Sequence, residues 1–281
     1  MPPQQTLPGT MPRWDAHLLI NLTHKLNRTI IAKRMHHGPL QIQKAFYPEG
    51  PVCHLYLLHP PGGIVGGDTL DINITLNTQA QGLLTTPAAT KFYRSNGAQS
   101  QQIVRLNVQA NAALEWLPLE TILFNATQAN ATTQIHLHSD ASYIGWDIVC
   151  FGLPAAKESF SQGYFRQNYQ IWRDNKPLVM ERGNFTGGDA IFQAHWGLAN
   201  FPVMATLTAT PATQAILHTV RERVKNPANA LFSSTLINDV LVCRYLGQQA
   251  ELAKTHFIKV WSVIRPSINN RPICIPRIWH T

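Results

Sequence analysis

The residues of this sequence that could do chemistry are mainly carboxylates in apolar surroundings. The chain has only 15 Asp and Glu residues, and Glu49, Asp68, Glu115 and Glu120 lie within or beside apolar stretches. A buried carboxylate needs a cationic partner, hydrogen-bond donors or water. The simpler interpretation of each one is an ion pair with an arginine such as Arg94, or capping of backbone amides. The alternative is a polar passage in which carboxylate oxygens bind a divalent cation weakly and transiently.

A second set of candidate ligands, Cys53, His54 and His59, lies along one short segment. Nickel and zinc accept thiolate and imidazole ligands. If residues 55–58 form a strand, His54 and His59 point to opposite faces, because side chains at odd separation alternate sides. We therefore expect a buried thiol and two separate imidazoles, and these three residues are weaker metal candidates than the carboxylates.

Motifs of catalysis and of nucleotide binding are missing from the sequence. The glycine-rich segment from Pro60 to Asp68 lacks the Gly-Lys-Ser/Thr ending of a P-loop, and a strand rather than a helix is predicted to follow it. A tight turn between two strands, with Asp68 capping its amides, fits better. There is no Gly-x-Ser-x-Gly elbow. A metal-dependent hydrolase on a β scaffold remains an alternative, although no His and Asp cluster has suitable spacing.

The charge of the chain favours acidic partners without choosing among them. The formal net charge is +8 and the sequence pI is near 9.5. The basic residues are scattered, whereas a nucleic-acid-binding surface normally shows clustered Lys and Arg along one element. We expect no nucleic-acid partner, and a nucleic-acid-binding module is an alternative that rests on charge alone.

Cysteine usage and hydropathy predict a cytoplasmic protein. Four cysteines, with no CxxC pair, are expected to be reduced and mostly buried. The first twenty residues lack the apolar core of a signal peptide. Nowhere do about eighteen consecutive apolar residues occur, so no transmembrane helix and no membrane partner are expected.

Residue periodicity predicts a β-rich layered body that ends in helices. Leu70, Ile72, Ile74 and Leu76 alternate with polar residues, which is typical of a half-buried strand, and similar alternation recurs as far as about residue 210. Helical spacing then appears in residues 216–224 and in residues 252–264, where Pro266 is expected to stop the second helix. Residues 236–246 are interpreted as a strand.

The proline-rich residues 1–14 are predicted to be a flexible tail. With 44% apolar and 14% charged residues, the chain can bury a sizeable core. Residues 15–281 are expected to form a single domain, because no Gly- or Ser-rich linker divides them. The helix-containing part begins at about residue 211.

Long sequence blocks resemble the UreD family of urease accessory proteins, also called UreH. The blocks, which follow the family's order, are GPLQIQKAFYPEGPVCHLYLLHPPGGIVGGD (38–68), LLTTPAATKFYRS (83–95), LEWLPLETILF (114–124), GWDIVCFGLPAAKESFSQG (145–163) and RDNKPLVMER (173–182). The resemblance implies a mainly β fold of two helically wound strand layers with about two helices near the C-terminus. It also implies a protein that is not an enzyme and has no tightly bound cofactor.

The same resemblance implies partners and a cargo. Family members bind urease apoprotein and the accessory protein UreF, which recruits the GTPase UreG, and nickel passes through internal tunnels to the urease site. This chain would thus be a chaperone and a nickel conduit. Glu49, Asp68, Glu115 and Glu120 are the candidates for a transient Ni²⁺ passage. Replacing Glu115 or Glu120 with alanine is then predicted to reduce urease activation while complex formation stays intact.

Overall fold

The computed structural model of the protein describes residues 13–280 and consists of two β-sheets with helices on the outer side of one of them. The predicted tail at residues 1–14 lies outside the described residues, except for Arg13 and Trp14. The strands, in chain order, are β1 (Asp15–Lys25), β2 (Arg28–His37), β3 (Gln41–Ile42), β4 (Cys53–Leu58), β5 (Thr69–Leu76), β6 (Gln81–Thr85), β7 (Thr90–Phe92), β8 (Ser100–Val108), β9 (Ala113–Trp116), β10 (Thr121–Leu123), β11 (Thr127–Leu137), β12 (Ser142–Phe151), β13 (Gly163–Arg173), β14 (Lys176–Thr186), β15 (Val203–Thr210), β16 (Leu231–Ile237) and β17 (Val240–Gly247). The α-helices are α1 (Gln214–Arg223) and α2 (Ala250–Asn269), and short 3₁₀ turns occupy Pro154–Ala156, Ala190–Phe192 and Arg277–His280.

The chain winds from one sheet to the other in stacked coils. A seven-stranded sheet has the order β14-β13-β11-β8-β5-β1-β2. In a ten-stranded sheet, eight strands have the order β16-β17-β15-β12-β9-β6-β4-β3, and the remaining two branch from this row, with β10 paired to β12 and β7 paired to β10. Strands β5, β8, β11 and β13 are parallel neighbours in the first sheet, and β4, β6, β9 and β12 are parallel neighbours in the second. The two helically wound layers implied by the family resemblance are confirmed.

Alternating burial explains why these segments form strands. In β5, Leu70, Ile72, Ile74 and Leu76 are buried and their neighbours are half-exposed, as predicted. Apolar residues of both sheets meet in an inner hydrophobic core. A second core lies on the outer face of the ten-stranded sheet, where α1 and α2 cover it. The ten-stranded sheet is therefore covered on both faces.

The C-terminal part continues the ten-stranded sheet. Strands β15, β17 and β16 add to β12 in antiparallel order, so the change of element type near Thr210 does not bring a new sheet. Residues 236–246, expected to be one strand, are the end of β16, a turn and most of β17. Asn238 has φ of 55°, a conformation that Asn tolerates in tight turns.

The prediction that Pro266 stops the second helix is wrong. Helix α2 continues to Asn269, and Asn270 follows in the left-handed conformation with φ of 53°. Proline removes one backbone donor, the one that would bond to the carbonyl of Ser262, and costs about 3 kcal/mol in a helix interior. The burial of side chains in the preceding turns, including Trp261 and Ile264, stabilises the helix against that cost.

No helix within residues 13–280 has the length and apolar character that crossing a bilayer requires.

Candidate functional site

Three of the predicted site residues, Glu49, His54 and Glu115, come together on the outer face of the ten-stranded sheet. In the parallel ladder β4-β6-β9, His54 is paired with Leu83 and Leu83 with Glu115. The three side chains therefore lie in a row on one face, beneath α2. Glu49 is in the segment before β4, which folds back on that strand through a bridge between Phe46 and His54.

The hub of this cluster is Arg265 of α2, whose side chain is fully buried. Its Nε donates to Glu115 Oε1 over 2.9 Å, and its Nη1 and Nη2 donate to Glu49 Oε2 and Oε1 over 2.9 and 2.7 Å. Nη1 also donates to the carbonyl of Pro272. The simpler interpretation, an ion pair with an arginine, is confirmed for Glu49 and Glu115. The arginine is Arg265 of α2, far along the chain, and not the suggested Arg94.

Further donors complete the surroundings of Glu115. Trp261 Nε1 donates to Oε2 over 2.8 Å, and Asn269 Nδ2 donates to Oε1 over 3.0 Å. Burial raises the pKa of Glu115, and Arg265, Asn269 and Trp261 act against that rise. Because both oxygens already accept several hydrogen bonds, Glu115 has little capacity left for a passing cation. We call the group Glu49, His54, Glu115, Trp261, Arg265 and Asn269 the outer network.

Glu49 is the more accessible carboxylate of the outer network. Its Oε1 lies 2.7 Å from His54 Nε2. Partial burial alone would raise the pKa of Glu49, but hydrogen bonds from His54 and Arg265, together with the charge of Arg265, lower it below its usual value. Cys274, in the segment after α2, is close to both residues: one ligand atom each of Glu49, His54 and Cys274 lie within 4.8 Å of one another.

The other predicted residues lie elsewhere. Asp68 accepts hydrogen bonds from the amides of Trp14 (2.9 Å) and Val65 (3.1 Å), which confirms the predicted capping role. Cys53 belongs to the inner core, where burial raises the pKa of its thiol to about 11. Glu120 is half-buried just before β10 and is close enough to Cys150 to help burial raise the pKa of that thiol.

A cavity of about 250 Å³ lies between the two sheets, on the opposite side of the ten-stranded sheet from the outer network. His59 lines this inner cavity while His54 faces outward, as their odd separation predicts. Burial lowers the pKa of His59, an effect that Asp68 opposes, and His59 Nε2 is buried without a hydrogen-bond partner. Polar residues that line the cavity include His59, Lys91, Gln102, Thr133, Asp147 and Tyr169.

Asp147 of β12 is the carboxylate of the inner cavity, and the sequence analysis missed it. It is half-buried, and its Oδ2 accepts a hydrogen bond from Gln167 Nε2 over 2.6 Å. Desolvation raises its pKa, and hydrogen bonds from Gln167 and the Ile148 amide oppose that rise. The sequence carries the signal, because Asp147 stands between Trp146 and Ile148 in an apolar strand, as Glu115 does in β9.

Hydroxyl groups continue the polar lining beside Asp147. The hydroxyl oxygens of Tyr143 and Tyr169 lie 3.2 Å apart, and the Tyr169 hydroxyl lies 2.7 Å from Thr208 Oγ1. Gly145 stands between Tyr143 and Asp147 on this face, where a Cβ would collide with the Tyr143 hydroxyl. The arrangement offers oxygen and imidazole ligands around an open space, without a saturated set of donors.

Comparison with known proteins decides the family. The model of the UreD urease accessory protein family matches residues 15–280. The chain belongs to the UreD family. Among its relatives, urease accessory protein UreD 2 of Brucella anthropi is 44% identical over 270 residues, covering 95% of this chain and 98% of the relative.

Two further relatives carry the name urease accessory protein UreD. That of Alcanivorax borkumensis is 43% identical, covering 97% of this chain and 94% of the relative. That of Dechloromonas aromatica is 42% identical, covering 98% of this chain and 97% of the relative. The similarity to the family thus extends over both strand layers and both helices.

Proposed function

We propose that this protein acts in urease maturation as a non-catalytic adaptor and nickel conduit. It binds urease apoprotein and UreF, through which it is linked to the GTPase UreG, and it lets Ni²⁺ pass through its interior on the way to the urease site. Membership of the UreD urease accessory protein family supports the role in maturation. The partners and the nickel route are part of the proposal.

The observation that carries the conduit is the inner cavity with Asp147 and His59 in its wall. A carboxylate oxygen and an imidazole nitrogen are ligand types that Ni²⁺ accepts. The unpartnered Nε2 of His59 is available to a cation. Because few ligands of this kind surround the space, binding would be weak and exchange fast, as a passage requires.

The outer network does not fit the same role. Arg265 pairs with both of its carboxylates, and the buried side chains of Arg265 and Glu115 leave no open space through which an ion could move. We therefore move the centre of the proposed passage from Glu49 and Glu115 to Asp147 and His59. Glu120 and Asp68 remain candidates, since Asp68 lies near His59.

Co-expression with the urease subunits and UreF tests the proposal. We expect the tagged chain to co-purify with both, and an Asp147→Asn variant to co-purify equally well while the urease formed contains less nickel. Asp174→Asn is a matched control, because Asp174 is an exposed turn residue in the left-handed conformation that Asn tolerates.

The two halves of the proposal fail in different ways. Absence of any association with apoprotein or UreF would overturn the adaptor role. Wild-type nickel loading of urease by Asp147→Asn, with association intact, would remove Asp147 from the route while leaving the adaptor role standing.

A further inference from the structure

Three side chains with metal-ligand chemistry meet at the accessible side of the outer network. Glu49 comes from the segment before β4, His54 from β4, and Cys274 from the segment after α2. One ligand atom each of these residues lie within 4.8 Å of one another. Carboxylate, imidazole and thiolate together form a donor set that suits borderline divalent ions such as Ni²⁺ and Zn²⁺.

The imidazole of His54 offers its Nε2 to the site. The side chain is fully buried, and its Nε2 lies 2.7 Å from Glu49 Oε1. One ion can therefore bind this nitrogen and the Glu49 carboxylate together, in place of the hydrogen bond between them.

The charge of the outer network also favours a cation. Glu49 and Glu115 face a single guanidinium, that of Arg265, which leaves one formal negative charge in a buried group. A divalent ion bound by the Cys274 thiolate adds one net positive charge. The ion would therefore bring the group to formal neutrality, which lowers the cost of burial.

The segment that carries Cys274 is fixed on both sides of it. Before it, Arg271 donates to Gln81. After it, Trp279 Nε1 donates to Thr85 Oγ1 over 2.9 Å, and its ring lies 5.7 Å from the ring of Trp146. These contacts hold the thiol next to Glu49 and His54 before any ion arrives, so little ordering is needed on binding.

We propose that Glu49, His54 and Cys274 form a binding site for one divalent cation of the Ni²⁺ and Zn²⁺ class, completed by water. Binding deprotonates the thiol, its proton passes to solvent, and the ion fastens the C-terminal segment to β4. The site goes beyond the proposed function, because the ten-stranded sheet separates it from the inner cavity and the nickel passage does not depend on it.

Titration of the purified full chain with Ni²⁺ tests the site. We expect one equivalent to bind, with a thiolate-to-nickel charge-transfer absorption in the near ultraviolet, and Zn²⁺ to compete for the same site. Cys274→Ala should abolish the absorption and weaken Ni²⁺ binding by more than the roughly 10–100-fold that loss of a supporting group costs. Cys150→Ala, which removes a thiol from the same sheet away from the site, should keep both signals.

A measurement on the wild-type chain tests the site without relying on the folding of the variants. Bound Ni²⁺ should slow the alkylation of Cys274, which is the only partly exposed cysteine, as mass spectrometry of the peptide that contains it would show. The site is ruled out if the folded wild-type chain takes up no stoichiometric Ni²⁺ or Zn²⁺, if the absorption survives Cys274→Ala, or if Ni²⁺ leaves Cys274 alkylation unchanged.

Discussion

The two faces of the ten-stranded sheet each carry a carboxylate within an apolar strand, and the surroundings of the two carboxylates differ. On the outer face, Glu115 accepts hydrogen bonds from Arg265, Trp261 and Asn269. On the inner face, Asp147 has Gln167 as its side-chain donor and the amide of Ile148 as a backbone donor, and it borders a cavity. An acidic residue inside an apolar strand can therefore have either of two roles, depending on how many hydrogen-bond donors surround it. A carboxylate whose oxygens all accept hydrogen bonds joins a strand to a helix. A carboxylate with fewer donors, beside open space, can bind a ligand.

The largest expected effect comes from removing the hub of the outer network. Arg265→Met should lower the free energy of unfolding by about 3–5 kcal/mol, because two carboxylates stay buried without their counter-charge. Urea unfolding followed by circular dichroism measures this. Lys259→Met, an exposed site on the same helix, should change stability by less than about 0.5 kcal/mol. Equal stability of Arg265→Met and wild type would contradict the role assigned to the outer network.

Replacement of Glu115 separates stability from activation. Glu115→Gln should cost about 1.5–3 kcal/mol, since hydrogen bonds to a charged acceptor are weakened. Glu115→Ala and Glu120→Ala are still predicted to reduce urease activation, and activity must be normalised to the amount of complex recovered. If Glu115→Ala reduces activation only in proportion to lost complex, Glu115 acts through stability alone.

The pH dependence of stability should differ in sign between the two faces. The pKa of Glu49 is lowered in the folded protein. Its ionised carboxylate therefore stabilises the fold at pH values above the unfolded-state pKa, and this stabilisation is lost as the pH falls through the folded-state pKa. Glu49→Gln should therefore be less stable than wild type at neutral pH, with the difference vanishing in acid. The measurement is urea unfolding across pH with a chelator present, so that no bound ion contributes.

For Asp147 the sign is reversed. Its pKa is raised, so folding is favoured while the group is protonated and that advantage is lost as pH rises through the folded pKa. Asp147→Asn should match wild type in acid and exceed it in stability at neutral pH. If Asp147→Asn were less stable than wild type at neutral pH, the ionised carboxylate of Asp147 would have enough hydrogen-bond donors to stabilise the fold, and the contrast with Glu115 would fail.

The smallest expected effect concerns the hydroxyl groups beside the inner cavity. Tyr169→Phe removes contacts with Tyr143 and Thr208 and should cost about 1 kcal/mol. Tyr164→Phe is the control on the same strand, because no hydrogen bond of its hydroxyl is seen among the described residues. Equal thermal unfolding temperatures of Tyr169→Phe and Tyr164→Phe would argue against a stabilising role of the Tyr169 hydroxyl.

Local patterns predicted much of the fold. The alternation at Leu70 to Leu76 predicted a strand because one face of it is buried. The helical winding of the two strand layers was predicted only from the family resemblance. Neighbouring strands of one sheet begin at unequal spacings along the chain, as β5, β8, β11 and β13 do, so the sequence has no fixed repeat that would indicate the coils.

The candidate site was predicted in part. The pattern of an acid within an apolar stretch selected Glu49 and Glu115, which meet in the outer network. It could not supply Arg265, which is distant in sequence and comes from another element. The spacing of Trp261 and Arg265 by four residues does place both on one helical face, so the buried face of α2 could have indicated the hub.

The position of Arg265 near the end of the chain means that the outer network forms late in synthesis. The stacked coils can form one after another as they leave the ribosome, because each coil pairs with the one before it. Glu49 and Glu115 receive their guanidinium only when the last helix has been made. A product that stops before α2 would expose an unneutralised pair of acids on an uncovered sheet, which marks an unfinished molecule for chaperones or proteases.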